Sequence, residues 1–241
     1  MRFRLVTYNI HKGIGGVDRR YRLGRIIETL KRYDPDIVLL QEVDDGVARS
    51  LHHRQAELLG DALNMSHYAY QRNVQLKEGH YGNAILSRHA LAVVGNVDLT
   101  LPLKKRRRAL VVHCHLRVDG RWRSLLIANV HLGLAGMERQ IQLRRLLAHR
   151  YVAQSHQRSP LLIGGDFNDV WGTLGKRVML PAGFRSAGKK IRTFPAAMPL
   201  RPLDRIFYRG KLVATHTFAA RCQSARQASD HLPLVAEFQF E

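Results

Sequence analysis

The chain has 241 residues, 45% of them hydrophobic, which is enough for one large domain, residues 1–241, with its own buried core. Its 39 Lys and Arg exceed its 19 Asp and Glu by a formal +20 before any of the 13 histidines is counted. A field of that sign attracts polyanions, either a nucleic-acid backbone or an anionic membrane surface, and "KKRRR" at 104–108 could follow a duplex phosphate track. No run of about 18 apolar residues is present, which excludes a transmembrane helix, and the first ten residues lack the apolar stretch of a signal peptide.

In chain order, residues 2–9 alternate as a strand and "YRLGRIIETLKRYD" follows as an amphipathic helix, with Leu23, Ile26, Ile27 and Leu30 at helical spacing and Pro35 beyond its end. "DIVLLQEV" reads as a buried strand ending at Gln41 and Glu42. A second helix is predicted over about 52–63, after which "HYAYQR", "NAILSR", "LAVVGNV" and "ALVVHCHLRV" are successive strands. "DGR" at 119–121 predicts a hairpin into "WRSLLIANVHL". A third helix is predicted through "ERQIQLRRLLAHRYVAQ", with Leu143, Leu146, Leu147 and Tyr151 on one face, and "PLLIGGDFND" is again an apolar strand ending in acids. The last quarter is less regular, apart from strands in "LDRIFYRG" and "HLPLVAEFQF".

The first half of this order recurs in the second. A strand ending in Asn9-x-His11-x-Gly13, a helix, then a strand ending at Glu42 parallels a strand ending in Asn129-x-His131-x-Gly133, a helix, then a strand ending at Asp166. An internal duplication is expected, with two sheets packed face to face and helices on their outer sides. Cys114 and Cys222 have no metal-ligand spacing and read as ordinary buried thiols in a reducing, cytoplasmic compartment.

Six stretches place polar, metal-competent side chains at the ends of apolar strands: "YNIHKG", "LLQEV", "NVHLG", "GGDFND", "LDRIF" and "SDHLPL". Each has an ordinary explanation alone. Asn9 could satisfy a turn, Glu42 could pair with an arginine, Asp166 and Asn168 could form an Asx turn, Asp204 could pair with Arg205, and His131 could be a hydrogen-bonded structural histidine. All six would have to arise independently, whereas convergence of strand ends on one cleft explains them together.

These stretches, with "GNAILSR" between them, span Thr7 to Pro233, and in this order the chain resembles the endonuclease/exonuclease/phosphatase superfamily. That superfamily holds metal-dependent phosphoesterases such as pancreatic-type deoxyribonucleases, abasic-site endonucleases, neutral sphingomyelinases and inositol-polyphosphate phosphatases. The resemblance implies an α/β fold, a four-layered sandwich of two mixed sheets flanked by helices with pseudo-twofold symmetry, and a divalent cation, Mg²⁺ or Mn²⁺. Oxygen ligands suit such ions, and no zinc spacing competes.

Carried over by motif, the resemblance makes Glu42 the main metal carboxylate, with Asn9 holding the metal or its phosphate and Asp230 at a second or alternative metal site. Asp166 orients or deprotonates the attacking water, and Asn168 bonds the nucleophile or a phosphate oxygen. His231 is the active-site imidazole and Asp204 fixes its tautomer; Asp230 cannot, because neighbours on a strand point to opposite faces. His131 is the second imidazole, Asn83 contacts phosphate, and Arg107 reaches the cleft, with Arg106 and Arg108 as alternatives. His11 is a supporting residue and Asn129 structural. A monomeric nuclease acting on DNA or RNA leads. A phospholipid, inositol-phosphate or small-metabolite phosphoesterase is the alternative, against which the 7% aromatic content and the lack of a recognisable hydrophobic anchor stand.

Overall fold

The computed structural model describes residues 2–118 and 120–241. Two six-stranded mixed sheets carry the fold. The first contains β1 (Arg2–Asn9), β2 (Ile37–Asp45), β3 (His67–Gln75) and β4 (His80–Ser87), completed by two strands from the far end of the chain. The second begins with β5 (Ala90–Asp98), β6 (Arg108–Val118), β7 (Arg121–His131) and β8 (Leu161–Asp166), then adds the short β9 (Arg185–Ser186) and β10 (Asp204–Arg209). β11 (Leu212–Ala219) and β12 (Leu234–Phe240) return to the first sheet. Strand order is β11-β12-β1-β2-β4-β3 in one sheet and β5-β6-β7-β8-β10-β9 in the other. In both, a single parallel pair, β1/β2 or β7/β8, is flanked by antiparallel neighbours. The pseudo-twofold organisation is therefore built into the hydrogen-bonding pattern.

Alternation along each strand separates three apolar layers. Phe3, Leu5, Ile37 and Leu39 face inward and meet Leu110, Val112, Ile127 and Leu162 of the other sheet. Val6, Tyr8, Val38 and Leu40 face outward and are covered by α1 (Leu23–Tyr33), α2 (Gln55–Ala62) and α5 (Gln223–Ala228). Val111, Ala128 and Ile163 face outward from the second sheet beneath α3 (Gly136–Ala148) and α4 (Arg150–Ala153). The expected four-layered α/β sandwich is the observed fold. No helix among the described residues is long and apolar enough to cross a membrane.

Several expectations need correction. β2 does not end at Glu42 but runs to Asp45 through a bulge between Leu40 and Val43, where Glu42 takes a left-handed φ of 56°. A bulge of this kind turns a side chain out of the regular alternation, and here it re-aims the carboxylate. The third helix breaks at His149, whose extended backbone separates α3 from α4, so that Tyr151 packs beside Gly95 of β5. β11 and α5 fill a stretch without regular sequence signals. Cys222 is only half-buried. β6 and β7 pair as far as Val118 and Arg121, while Asp119 of the expected turn lies outside the described residues. The duplication is also offset by one residue at the acids. Asn9 pairs with Gln41 and Asn129 with Gly164, so Glu42 corresponds to Gly165, and Asp166 stands one position further on.

Candidate active site

Asn9, His131, Asp166 and Asp204 terminate β1, β7, β8 and β10, which places all four at one edge of the sandwich. His131 pairs in register with Asp166, and Asp166 with Asp204. Asp166 is the hub. Its Oδ2 accepts a hydrogen bond from Asn9 Nδ2 of the opposite sheet (3.1 Å) and lies 3.5 Å from His131 Nε2 and 3.8 Å from His231 Nε2. Its Oδ1 accepts the Asn168 backbone N–H at 2.9 Å. Burial raises the pKa of Asp166 and the Asp204 charge adds to this, while His231 and the two hydrogen bonds oppose them, leaving it at about 6.

His231 is fixed from three sides. Its Nδ1 donates to Asp204 Oδ2 at 2.8 Å, its backbone N–H donates to Ser229 Oγ at 3.2 Å, and the Phe194 ring lies 4.9 Å from its own. Thr193 Oγ1 donates to the same Asp204 oxygen at 2.5 Å, and Ser229 Oγ donates to the Asn9 carbonyl at 2.7 Å. Burial pulls the imidazole's pKa down, but Asp204 and Asp166 outweigh it and push it up to about 10, so His231 is an imidazolium at neutral pH. His131 has the opposite fate: burial first, then the Arg107 charge, drives it well below the usual histidine range and keeps it neutral.

Arg107 is the buried member of the basic run, and its Nε has no hydrogen-bond partner among the described residues. Arg106 is exposed, and Arg108 donates to the Arg72 carbonyl at 3.2 Å. Lys105 also acts on His131, and its ammonium sits 5.0 Å from the Tyr81 ring, against which Arg49 lies at 5.7 Å. Arg107 and Lys105 thus lie near His131, while Arg49 is paired with the Asp44 carboxylate at 2.7 Å.

Glu42 stands near His131, close enough for the charge of each to act on the other. Its Oε2 accepts a short hydrogen bond from Lys12 Nζ. Burial raises its pKa, yet His131, Lys12 and His11 bring it down to about 2. Because His131 is neutral near pH 7, Lys12 is the cation that holds Glu42 ionised there. Asp230 stands near His11, its Oδ1 3.9 Å from the ring Nδ1. Asn9 Oδ1 accepts the His11 N–H at 3.1 Å. Among the described residues no three His, Cys, Asp or Glu side chains form a ready-made metal cage. The Glu42 carboxylate and the Asn9 amide nevertheless offer oxygen ligands of the kind that suit Mg²⁺ or Mn²⁺, ions that keep several waters.

Two of the predicted residues also bond to the protein itself. Asn83 is buried, and its amide donates to Gln71 Oε1 at 3.3 Å and to the Arg108 carbonyl at 3.2 Å, joining β4 to the start of β6. Both amide hydrogens thus have partners within the protein. Asn168, at a left-handed φ of 51°, donates through Nδ2 to the Leu132 carbonyl at 2.9 Å and so brackets the loops after β7 and β8. Asn129 is structural as expected: it donates to the carbonyls of Leu40 (2.8 Å) and Ala84 (2.9 Å) and accepts from Gln41 Nε2 (2.8 Å). Thr193, Ser229 and Lys12 belong to the site without being candidates in the sequence, while Lys105 lies within the basic run at 104–108. Lys12 lies inside the Asn-x-His-x-Gly frame and Ser229 beside Asp230, so only their neighbours signal them.

The family model for the Endonuclease/Exonuclease/phosphatase family matches residues 6–231. An Escherichia coli (strain K12) protein, described as uncharacterized protein YbhP, is 33% identical over 98% of this chain and 95% of its own length. The crystal structure of an endonuclease/exonuclease/phosphatase from Beutenbergia cavernae superposes with a TM-score of 0.78 at 22% identity, covering 99% of this chain and 72% of that one. D. rerio TDP2 complexed with single strand DNA product superposes with a TM-score of 0.68 at 18% identity, covering 99% of each chain. The matched family model spans both sheets and every residue gathered at their shared edge, and the chain belongs to the endonuclease/exonuclease/phosphatase family.

Proposed function

We propose that the protein is a divalent-metal-dependent phosphodiesterase acting on DNA or RNA in the cytoplasm, by in-line attack of water on the scissile phosphorus. The observation that carries this is the convergence of Asn9, His131 and His231 on one oxygen of Asp166, with Arg107 and Lys105 beside His131. Phosphodiester hydrolysis needs a base for water, cations on the non-bridging oxygens and help for the leaving alkoxide.

Each need has a candidate group. Asp166, with a pKa near 6, is ionised at neutral pH yet basic enough to take a proton from the attacking water. The His231 imidazolium, oriented by Asp204 and Thr193, donates to a non-bridging oxygen. Neutral His131 donates to the phosphate or the leaving oxygen, and Arg107 and Lys105 offset the phosphate charge. Asn168 acts on Asp166 through its backbone N–H. Glu42, Asn9 and Asp230 would hold the cation, which supplies Lewis acidity and charge neutralisation at the phosphate when bound.

Nucleic acid as substrate rests on the +20 charge and on the cations gathered at the cleft. Anionic phospholipid is a second substrate class favoured by a separate observation. Leu103, Leu134 and Trp171 are exposed on the segments adjoining Arg107, His131 and Asp166, side chains suited to contact with a lipid surface. The test is a screen of purified protein with Mg²⁺ or Mn²⁺ against plasmid, single-stranded oligonucleotide, RNA, phospholipid vesicles and inositol phosphates, with Glu42→Ala as the blank. Nucleic-acid cleavage absent from the blank, with binding that weakens steeply as salt rises, is expected. Cleavage of lipid alone would transfer the assignment to the second class, and activity on none of the panel would overturn it.

A further inference from the structure

Lys12 has no part in the chemistry proposed for the site, yet the backbone is distorted to place it. His11, Lys12 and Gly13 all adopt positive φ, at 45°, 62° and 74°. Only glycine does this freely, and an L-residue held there is strained. The turn persists because its surroundings hold it. Asn9 Oδ1 accepts the His11 N–H, Gln55 Nε2 donates to the Lys12 carbonyl at 2.8 Å, and Gln55 Oε1 accepts the Asp44 N–H of β2 at 2.8 Å. Gly13 leaves room for the Tyr21 ring, which an added Cβ would meet at 2.9 Å. The result is a largely buried ammonium fixed on Glu42, the carboxylate assigned to the cation, while His11 next to it faces Asp230.

An ammonium and a divalent cation on the same carboxylate repel each other unless a further anion joins them. A substrate phosphate is such an anion. Building on the phosphodiesterase reading, we infer that Lys12 is a substrate-binding residue: it guards Glu42 in the ion-free protein and transfers to a non-bridging phosphate oxygen when cation and substrate occupy the site. Cation binding without a phosphate must displace Lys12 and is weakened by it. Phosphate gives the displaced ammonium a partner, so each ligand strengthens the other, as reciprocity requires.

The experiment is a Mn²⁺ titration of the whole protein followed by electron paramagnetic resonance, with and without thymidine 3′,5′-bisphosphate. Wild type, Lys12→Met and Lys12→Asn are compared; asparagine tolerates the left-handed turn and covers the case in which methionine does not fold. Without bisphosphate, both variants should bind Mn²⁺ roughly tenfold more tightly than wild type, the equivalent of one charge-assisted hydrogen bond. Bisphosphate should tighten Mn²⁺ binding to wild type and have little effect on the variants. On a cleaved substrate, KM should rise about tenfold in the variants. Wild type that binds Mn²⁺ with the variants unchanged or weaker overturns the role of Lys12 alone. Wild type that binds no Mn²⁺ in either condition overturns the phosphodiesterase reading and this inference together.

Discussion

The Asn-x-His-x-Gly frames at 9–13 and 129–133 end equivalent strands of the two sheets, and the difference between them shows how a pseudo-symmetric scaffold comes to do two jobs. Both asparagines reach across to the opposite sheet. Asn9 meets a carboxylate, Asp166, whereas Asn129 meets the backbone carbonyls of Leu40 and Ala84 and the amide of Gln41. The histidines part in the same way: His11 bonds the Ile14 carbonyl at 2.9 Å, while His131 faces Asp166. The two frames also close differently. The first coils into a left-handed turn that presents Lys12, and the second passes Gly133, where an added Cβ would lie 2.0 Å from the Glu138 carboxyl group. The strand-end geometry is shared, and the chemistry depends on what the other sheet supplies opposite each side chain.

The largest expected effect lies in the groups bound to turnover itself. Glu42→Ala and His231→Ala should each lower kcat/KM by roughly a thousandfold or more in steady-state assays with saturating Mg²⁺, with native circular dichroism. Near-wild-type turnover by both would remove the site. The two asparagines then divide the comparison. Asn9→Ala should reduce kcat about a hundredfold with a stability loss near 1 kcal/mol, because Asp166 loses one of its two hydrogen bonds. Asn129→Ala should do the reverse, costing about 3 kcal/mol in chemical denaturation as two buried carbonyls and Gln41 lose partners, with kcat of the folded fraction little changed. Equal profiles for the two variants would show that the copies are not specialised. The smallest effect belongs to Thr193→Val, which leaves the Asp204–His231 hydrogen bond in place and should lower kcat by about tenfold or less.

Much of this architecture was legible in the sequence because apolar runs ending in polar residues have only one economical explanation in a sandwich: the runs are buried and their ends line an edge. Glu42, His131, Asp166, Asp204 and His231 were visible for that reason. The bulge at Glu42 was not, since it depends on how β4 pairs with β2. The break at His149 was equally hidden, because its helical periodicity continues into Tyr151 and only the Gly95 surface of β5 draws that ring away. The value of Thr193 comes from Asp204 eleven residues on, which only the fold brings to it. Asn83 shows what a motif position leaves open: its amide joins Gln71 and the Arg108 carbonyl, a link between β4 and β6 that no motif spells out.

The central claim is that Asp204 holds His231 as an imidazolium beside a carboxylate that must be ionised, and the pH–rate profile of wild type against Asp204→Asn tests it most directly. Asp166, raised to about 6, should give an acidic limb on which activity rises with pH as its proton leaves. His231, raised to about 10, should keep wild-type activity level through neutrality and lose it only as pH climbs toward 10. Removing the Asp204 charge and its hydrogen bond leaves only Asp166 and Asp230 to oppose burial, so the basic limb of Asp204→Asn should move to lower pH. A basic limb at the same pH in both proteins would contradict the account.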